Sequence, residues 1–140
     1  MTQLTSAPPL DGIDIPVDAW TAPFWQASAE QKLRLPSCAN CRRFRWPPGP
    51  FCPYCQAQEV EWRDPGVARL YSFTIVRRRV GDAEFVCAPA LVEFPEADGV
   101  RVVAPIVDAD VSALRIGARL SVGWRPINET LKAPVFRVTA

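Results

Sequence analysis

A chain of 140 residues is long enough for one domain or two small ones, and its 49% hydrophobic and 22% charged residues describe ordinary globular composition. A formal net charge of +1 disfavours general nucleic-acid binding, which rests on neutralising phosphates. The absence of histidine excludes Ser-His-Asp and Cys-His catalytic arrangements, and a His-ligated catalytic zinc, from this chain. No apolar run approaches the roughly 20 residues of a membrane span, so no membrane contact is expected. Nothing at the N-terminus reads as a signal peptide, so the expected setting is cytoplasmic, with reduced thiols.

Residues 1–20 are expected to form a flexible N-terminal arm, because Pro8, Pro9 and Pro16 leave little periodicity. Residues 21–64 form the next unit, a short helix plus a cysteine-rich ribbon. The helix is expected from Thr21 to about Gln31, with Thr21 as its cap and Pro23 in the first turn. Phe24 and Trp25 fall on different faces of it. They either pack on the chain's own metal module or, with Trp46, face a partner, since tryptophan is enriched at interface hot spots.

The ribbon reads Cys38-Ala39-Asn40-Cys41, a ten-residue loop, then Cys52-Pro53-Tyr54-Cys55. Two Cys-x-x-Cys pairs can set four thiolates around one Zn²⁺ in a closed structural site. Two disulfides are the alternative, but adjacent Cys-x-x-Cys bridges hold geometry poorly and nothing signals export. Spacing alone does not separate zinc from iron. Short strands are expected at 33–36, 44–46 and 60–62, the pattern of a rubredoxin-like zinc ribbon. A Zn²⁺ with four thiolates would bring the net charge of +1 to about −1. Arg42, Arg43 and Arg45 then read as compensation for the site, with nucleic-acid contact as the competing reading.

From residue 65 to 140 the period changes to two. Strands are expected at 69–76, 90–94, 100–107, 119–124 and 135–138, with an Asp98-Gly99 hairpin turn and a helical turn at 110–114. Tyr71, Phe73 and Ile75 are expected on one side of the first strand. Five strands of this kind suit an oligonucleotide/oligosaccharide-binding (OB) barrel, although periodicity alone also allows a small open sandwich. The expected fold is therefore mainly β: a short helix and zinc ribbon followed by a five-stranded OB-fold barrel. Cys87, between Val86 and Ala88, reads as a buried inert thiol. Asp108 and Asp110 read as solvated loop carboxylates with no role.

Taken together, Pro23-Phe24-Trp25, the two cysteine knuckles, Trp46-Pro47-Pro48, Tyr71-Ser72-Phe73-Thr74 and Leu114-Arg115-Ile116-Gly117 occur in an order that resembles the DUF35 family. The likeness runs from about Pro23 to the C-terminus. One departure is Arg42, where family members commonly place a glycine after the first knuckle, a position that often needs positive φ. The resemblance implies a non-catalytic accessory subunit that binds a thiolase-superfamily enzyme. It implies acyl-CoA at or near the interface, in C–C bond cleavage or formation on CoA thioesters. A homodimeric thiolase-like subunit would then imply a 2:2 hetero-oligomer. In that setting Arg77, Arg78 and Arg79 are candidate ligand-binding residues, since guanidinium groups can hold CoA phosphates. Their alternative is a solvated strand end. An OB-fold and zinc-ribbon nucleic-acid-binding module is the competing function.

Overall fold

Alternating apolar residues in the second half of the chain dictate strands that show one face to a core. The computed structural model describes residues 3–10 and 13–139, and there this pattern closes a barrel. In chain order the elements are α1 (Ala22–Ala29), β1 (Leu35–Cys38), β2 (Val60–Arg63), β3 (Ala68–Phe73), β4 (Val76–Val80) and β5 (Ala83–Phe94). Then come β6 (Val100–Ile106), a 3-10 turn (Val111–Ala113), β7 (Arg119–Pro126) and β8 (Lys132–Val138). β1 and β2 form their own antiparallel pair. The larger sheet runs β3-β7-β8-β6-β5, and β5 pairs back onto β3, so five strands close on themselves. Every barrel pairing is antiparallel except β6 with β8, which meet in parallel at Ile106 and Phe136. Closure removes the free sheet edges. The expected ribbon-plus-OB architecture is what the chain adopts. No helix among the described residues is long and apolar enough to cross a membrane.

The first barrel strand departs from simple alternation. Leu70 opposes Val92 and Ser72 opposes Leu91, which leaves Tyr71 as an extra residue in a β-bulge. Leu70 is buried, whereas Tyr71 turns outward with the Arg101 guanidinium 3.7 Å from its ring centroid. Tyr71 therefore does not share the inner row with Phe73 and Ile75, which pack against the core. The expected strand at 69–76 also breaks before Val76. There β4 begins and pairs with the first half of β5 in a hairpin standing beyond the barrel. All five β4 residues are exposed, so no apolar alternation marks this strand in the sequence.

Residues 3–10 correct the expectation of a flexible arm. Thr5 is 2% exposed; its N–H donates to the Ala109 carbonyl, and its own carbonyl accepts from Asp108 N–H. Its hydroxyl accepts from Ala109 N–H at 3.2 Å, and Ser6 N–H donates to the Val86 carbonyl. A short polar residue satisfies buried backbone groups here, which proline counting cannot reveal. Met1, Thr2, Asp11 and Gly12 lie outside the described residues.

Asp18, rather than Thr21, organises the entry to α1. The Asp18 carboxylate accepts from Trp20 and Thr21 N–H groups, and Thr21 Oγ1 accepts from Asp18 N–H. This is a reciprocal capping arrangement one turn upstream of the expected cap. Past the helix, the ribbon and barrel are not packed as separate bodies. Phe24, Leu33, Leu35 and Phe44 belong to the same buried cluster as Leu70, Val92, Phe94, Ile106 and Phe136. Asp98, in the tight β5–β6 turn with φ of 56°, accepts from the Phe44 N–H at 2.9 Å and ties the two modules directly. Gly66 carries the link between them. Its φ is +83°, and a Cβ there would stand 2.9 Å from a carboxylate oxygen of Glu96.

Candidate metal centre

The four cysteines meet at one end of the β1–β2 pair. Cys38 ends β1, Cys41 follows on the turn, and the loop from Arg42 to Phe51 returns the chain to Cys52 and Cys55. The two knuckles repeat one geometry. Arg42 N–H donates to the Cys38 carbonyl and Gln56 N–H to the Cys52 carbonyl, each at 2.9 Å. Arg42 and Gln56 both take left-handed φ, 68° and 67°. The position after each knuckle thus needs positive φ, and Arg42 adopts it without being glycine. Backbone N–H groups of Asn40 and Cys41 point at Cys38 Sγ, and that of Tyr54 points at Cys52 Sγ, all at 3.4 Å. Such donors stabilise thiolates.

The sulfurs lie within 4.8 Å of one another, with Cys38 to Cys55 at 3.5 Å and Cys41 to Cys52 at 3.6 Å. A tetrahedron with Zn–S bonds of about 2.3 Å has edges of about 3.8 Å, so the donor set fits zinc. A disulfide needs sulfurs about 2.05 Å apart, and all five cysteines are free thiols. The thiols also conflict electrostatically. The Asn40 side-chain amide, helped by Ala57 N–H, holds Cys55 down at about 6. Arg43 N–H pulls on Cys41, but burial and the three neighbouring thiols push it up to about 11. A divalent cation at the centre resolves that conflict by ionising all four. Zinc held there supplies a cross-link, with every coordination position filled by sulfur.

The three ribbon arginines diverge rather than forming a basic stripe. Arg42 pairs with Glu61 at 3.3 Å, Arg43 lies over the Tyr54 ring at 4.4 Å, and Arg45 is buried at 5% exposure. Arg63 was not singled out in the sequence. It bonds Ser37 Oγ at 2.9 Å and the Arg42 carbonyl at 2.8 Å, and lies 4.3 Å over the Phe44 ring. It stands opposite Leu35 at the end of β2, one residue beyond the strand expected at 60–62, so no sequence signal marked it.

Of the aromatic residues expected at a partner surface, Phe24 is a core residue at 6% exposure. Its ring sits 5.1 Å from Trp25 and 5.4 Å from Trp46, centroid to centroid. The helix face carrying Phe24 and Ser28 turns inward, and Trp25 and Trp46 remain partly buried beside it. The structure therefore gathers the three aromatics into one cluster of edge-on and tilted rings, with only the tryptophans partly exposed. Arg77, Arg78 and Arg79 are elsewhere, on the exposed β4 strand, with Arg77 opposite Val86 and Arg79 opposite Glu84. None of the three forms an ion pair among the described residues; Arg77 donates to the Gln3 side chain at 3.3 Å. Cys87 is buried at 7% exposure on β5, as expected. Asp108 pairs with Arg137 at 2.8 Å on the surface.

A closed four-sulfur site on a ribbon, merged with a five-stranded OB barrel, defines a class of two-module protein. Family models match both parts: the ChsH2 rubredoxin-like zinc ribbon domain over residues 25–61, and the ChsH2 C-terminal OB-fold domain over residues 63–125. The chain belongs to the DUF35 family, and its four cysteines form a structural zinc centre. Among solved structures it is similar to the Ltp2-ChsH2(DUF35) aldolase, with a TM-score of 0.78 and 27% identity over 89% of this chain and 98% of that one. A DUF35 protein from Sulfolobus solfataricus shares the fold at a TM-score of 0.63 and 17% identity, over 88% of this chain and 85% of that one. A probable enoyl-CoA hydratase alpha subunit from Thermomonospora curvata is 32% identical over 117 residues, 81% of this chain. The chain spans 36% of that relative's length.

Proposed function

We propose that this chain is an accessory subunit of an enzyme that processes acyl-CoA thioesters. In the finer form of this reading, it binds a thiolase-superfamily subunit that carries the catalysis. The observation that supports it most is the likeness, across both modules, to the chain of an Ltp2-ChsH2(DUF35) aldolase. The relative named as a hydratase subunit points to the same kind of substrate. The chemistry of the chain agrees: it has no histidine, and a zinc closed by four sulfurs leaves no position for substrate.

Partner contact is proposed for the outer sides of Trp25 and Trp46, whose rings pack on Phe24 in the core. Acyl-CoA contact is proposed for β4, where Arg77 and Arg79 share one strand face and Arg78 takes the other. Their guanidinium groups are exposed and free of ion pairs among the described residues, so they can meet phosphate oxygens without first breaking a bond to a carboxylate. Calorimetric titration of acyl-CoA into the assembled complex tests this. Arg77→Glu with Arg79→Glu should weaken binding about tenfold or more, in line with losing charge-assisted bonds of roughly 1.5–3 kcal/mol each. Unchanged affinity in an intact complex would remove the ligand role from β4.

A further inference from the structure

Arg45 is a charged side chain in an interior position. It is 5% exposed, and its Nη2 donates to the Gly49 carbonyl at 3.2 Å. Its Nε and Nη1 are buried without a partner. None of the ion pairs among the described residues involves it. A desolvated guanidinium with idle donors is costly until an anion meets it. Arg45 also lines a cavity of about 210 Å³, where the chain entering α1 crosses the ribbon. Trp20, Pro23, Pro36, Pro48 and Trp62 form its other main walls.

We propose that this cavity binds a single carboxylate group carried on a short apolar stem. Arg45 is the one charged residue in the lining, so a monoanion balances it. Three of the walls are prolines, which have no N–H to offer. A phosphate dianion would therefore keep both excess charge and unmatched oxygens. The proline rings and two indoles suit methylene or ring carbons instead. The bond from Nη2 to Gly49 fixes the guanidinium plane before the ligand arrives. The carboxylate comes either from a small acid in solution or from an acidic residue of a partner subunit.

The test uses the zinc-loaded full chain. Sodium butyrate is titrated at constant ionic strength, with sodium phosphate and sodium chloride as controls, while the Arg45 Nε–H resonance and tryptophan fluorescence are followed. Butyrate should shift both saturably, and Arg45→Met should abolish the response. Gly49→Val provides a variant that keeps Arg45. Gly49 lines the cavity and its carbonyl takes the Nη2 bond, and a Cβ there meets nothing within 4 Å, so valine is accommodated without a clash and should weaken butyrate at least tenfold while the zinc fold persists. Equal shifts from phosphate or chloride, or identical butyrate curves for Gly49→Val and the unaltered chain, would overturn the site. Repeating the titration in the complex with the proposed catalytic subunit separates the two sources. A retained butyrate response there assigns the site to a solution acid, and a lost one to a partner carboxylate. The titration of the isolated chain stands whether or not the accessory-subunit reading holds.

Discussion

At the scale of single residues, buried backbone groups decide more than side-chain class does. Thr5 sits in a proline-interrupted segment, yet it is nearly inaccessible; its backbone bonds once to Ala109 and once to Asp108, and its hydroxyl accepts from the Ala109 N–H. Thr5→Val keeps the shape but leaves the Ala109 N–H without its acceptor. The expected cost is about 1–3 kcal/mol in urea unfolding, the penalty for an orphaned buried donor. A change below about 0.3 kcal/mol would mean that residues 3–10 are not held as described. Arg42 teaches the complementary lesson. A sequence shows that a glycine is missing after the knuckle, but only the φ of 68° shows that the turn keeps its shape regardless. Its side chain reaches Glu61 across an exposed pair that contributes little, on the order of 0.2–1 kcal/mol.

At the scale of elements, the knuckles and barrel were legible because their signals are covalent or periodic. Cysteine spacing fixes the metal site, and alternation marks the barrel strands. The β4–β5 hairpin was not legible, because Val76–Val80 has no buried face to impose alternation. The bulge at Tyr71 was also hidden, since one extra residue reverses the parity of everything before it. Phe24 could have gone to either surface by sequence, and the shared core decided it. That sharing makes a prediction about the metal. Structural zinc supplies folding free energy outright in small ribbons. Here Leu35 and Phe44 of the ribbon lie in the barrel's own cluster, and Phe44 is held by Asp98. Removing zinc with a chelator should therefore melt the ribbon and also lower the barrel's thermal midpoint by on the order of 10 °C. Calorimetry showing an unshifted barrel transition would establish two independent modules instead.

At the scale of the whole molecule, the zinc centre and the barrel core act as one support for three surface features. These are the aromatic cluster of Phe24, Trp25 and Trp46, the Arg45 cavity, and the cationic β4 hairpin beyond the barrel. On the proposed reading, a chain without histidine presents these surfaces to a partner that carries the catalysis. The competing nucleic-acid reading loses its main footing, because the ribbon arginines are divided between Glu61, Tyr54 and the interior. The central claim is that catalysis belongs to a partner and that this chain completes it. The direct measurement is acyl-CoA turnover by a co-expressed thiolase-superfamily subunit alone, by this chain alone, and by the two titrated together. Turnover should be absent with this chain alone and should rise with its addition to a plateau at a fixed stoichiometry. Turnover by this chain alone, or a partner rate indifferent to its presence with the complex formed, would contradict the account.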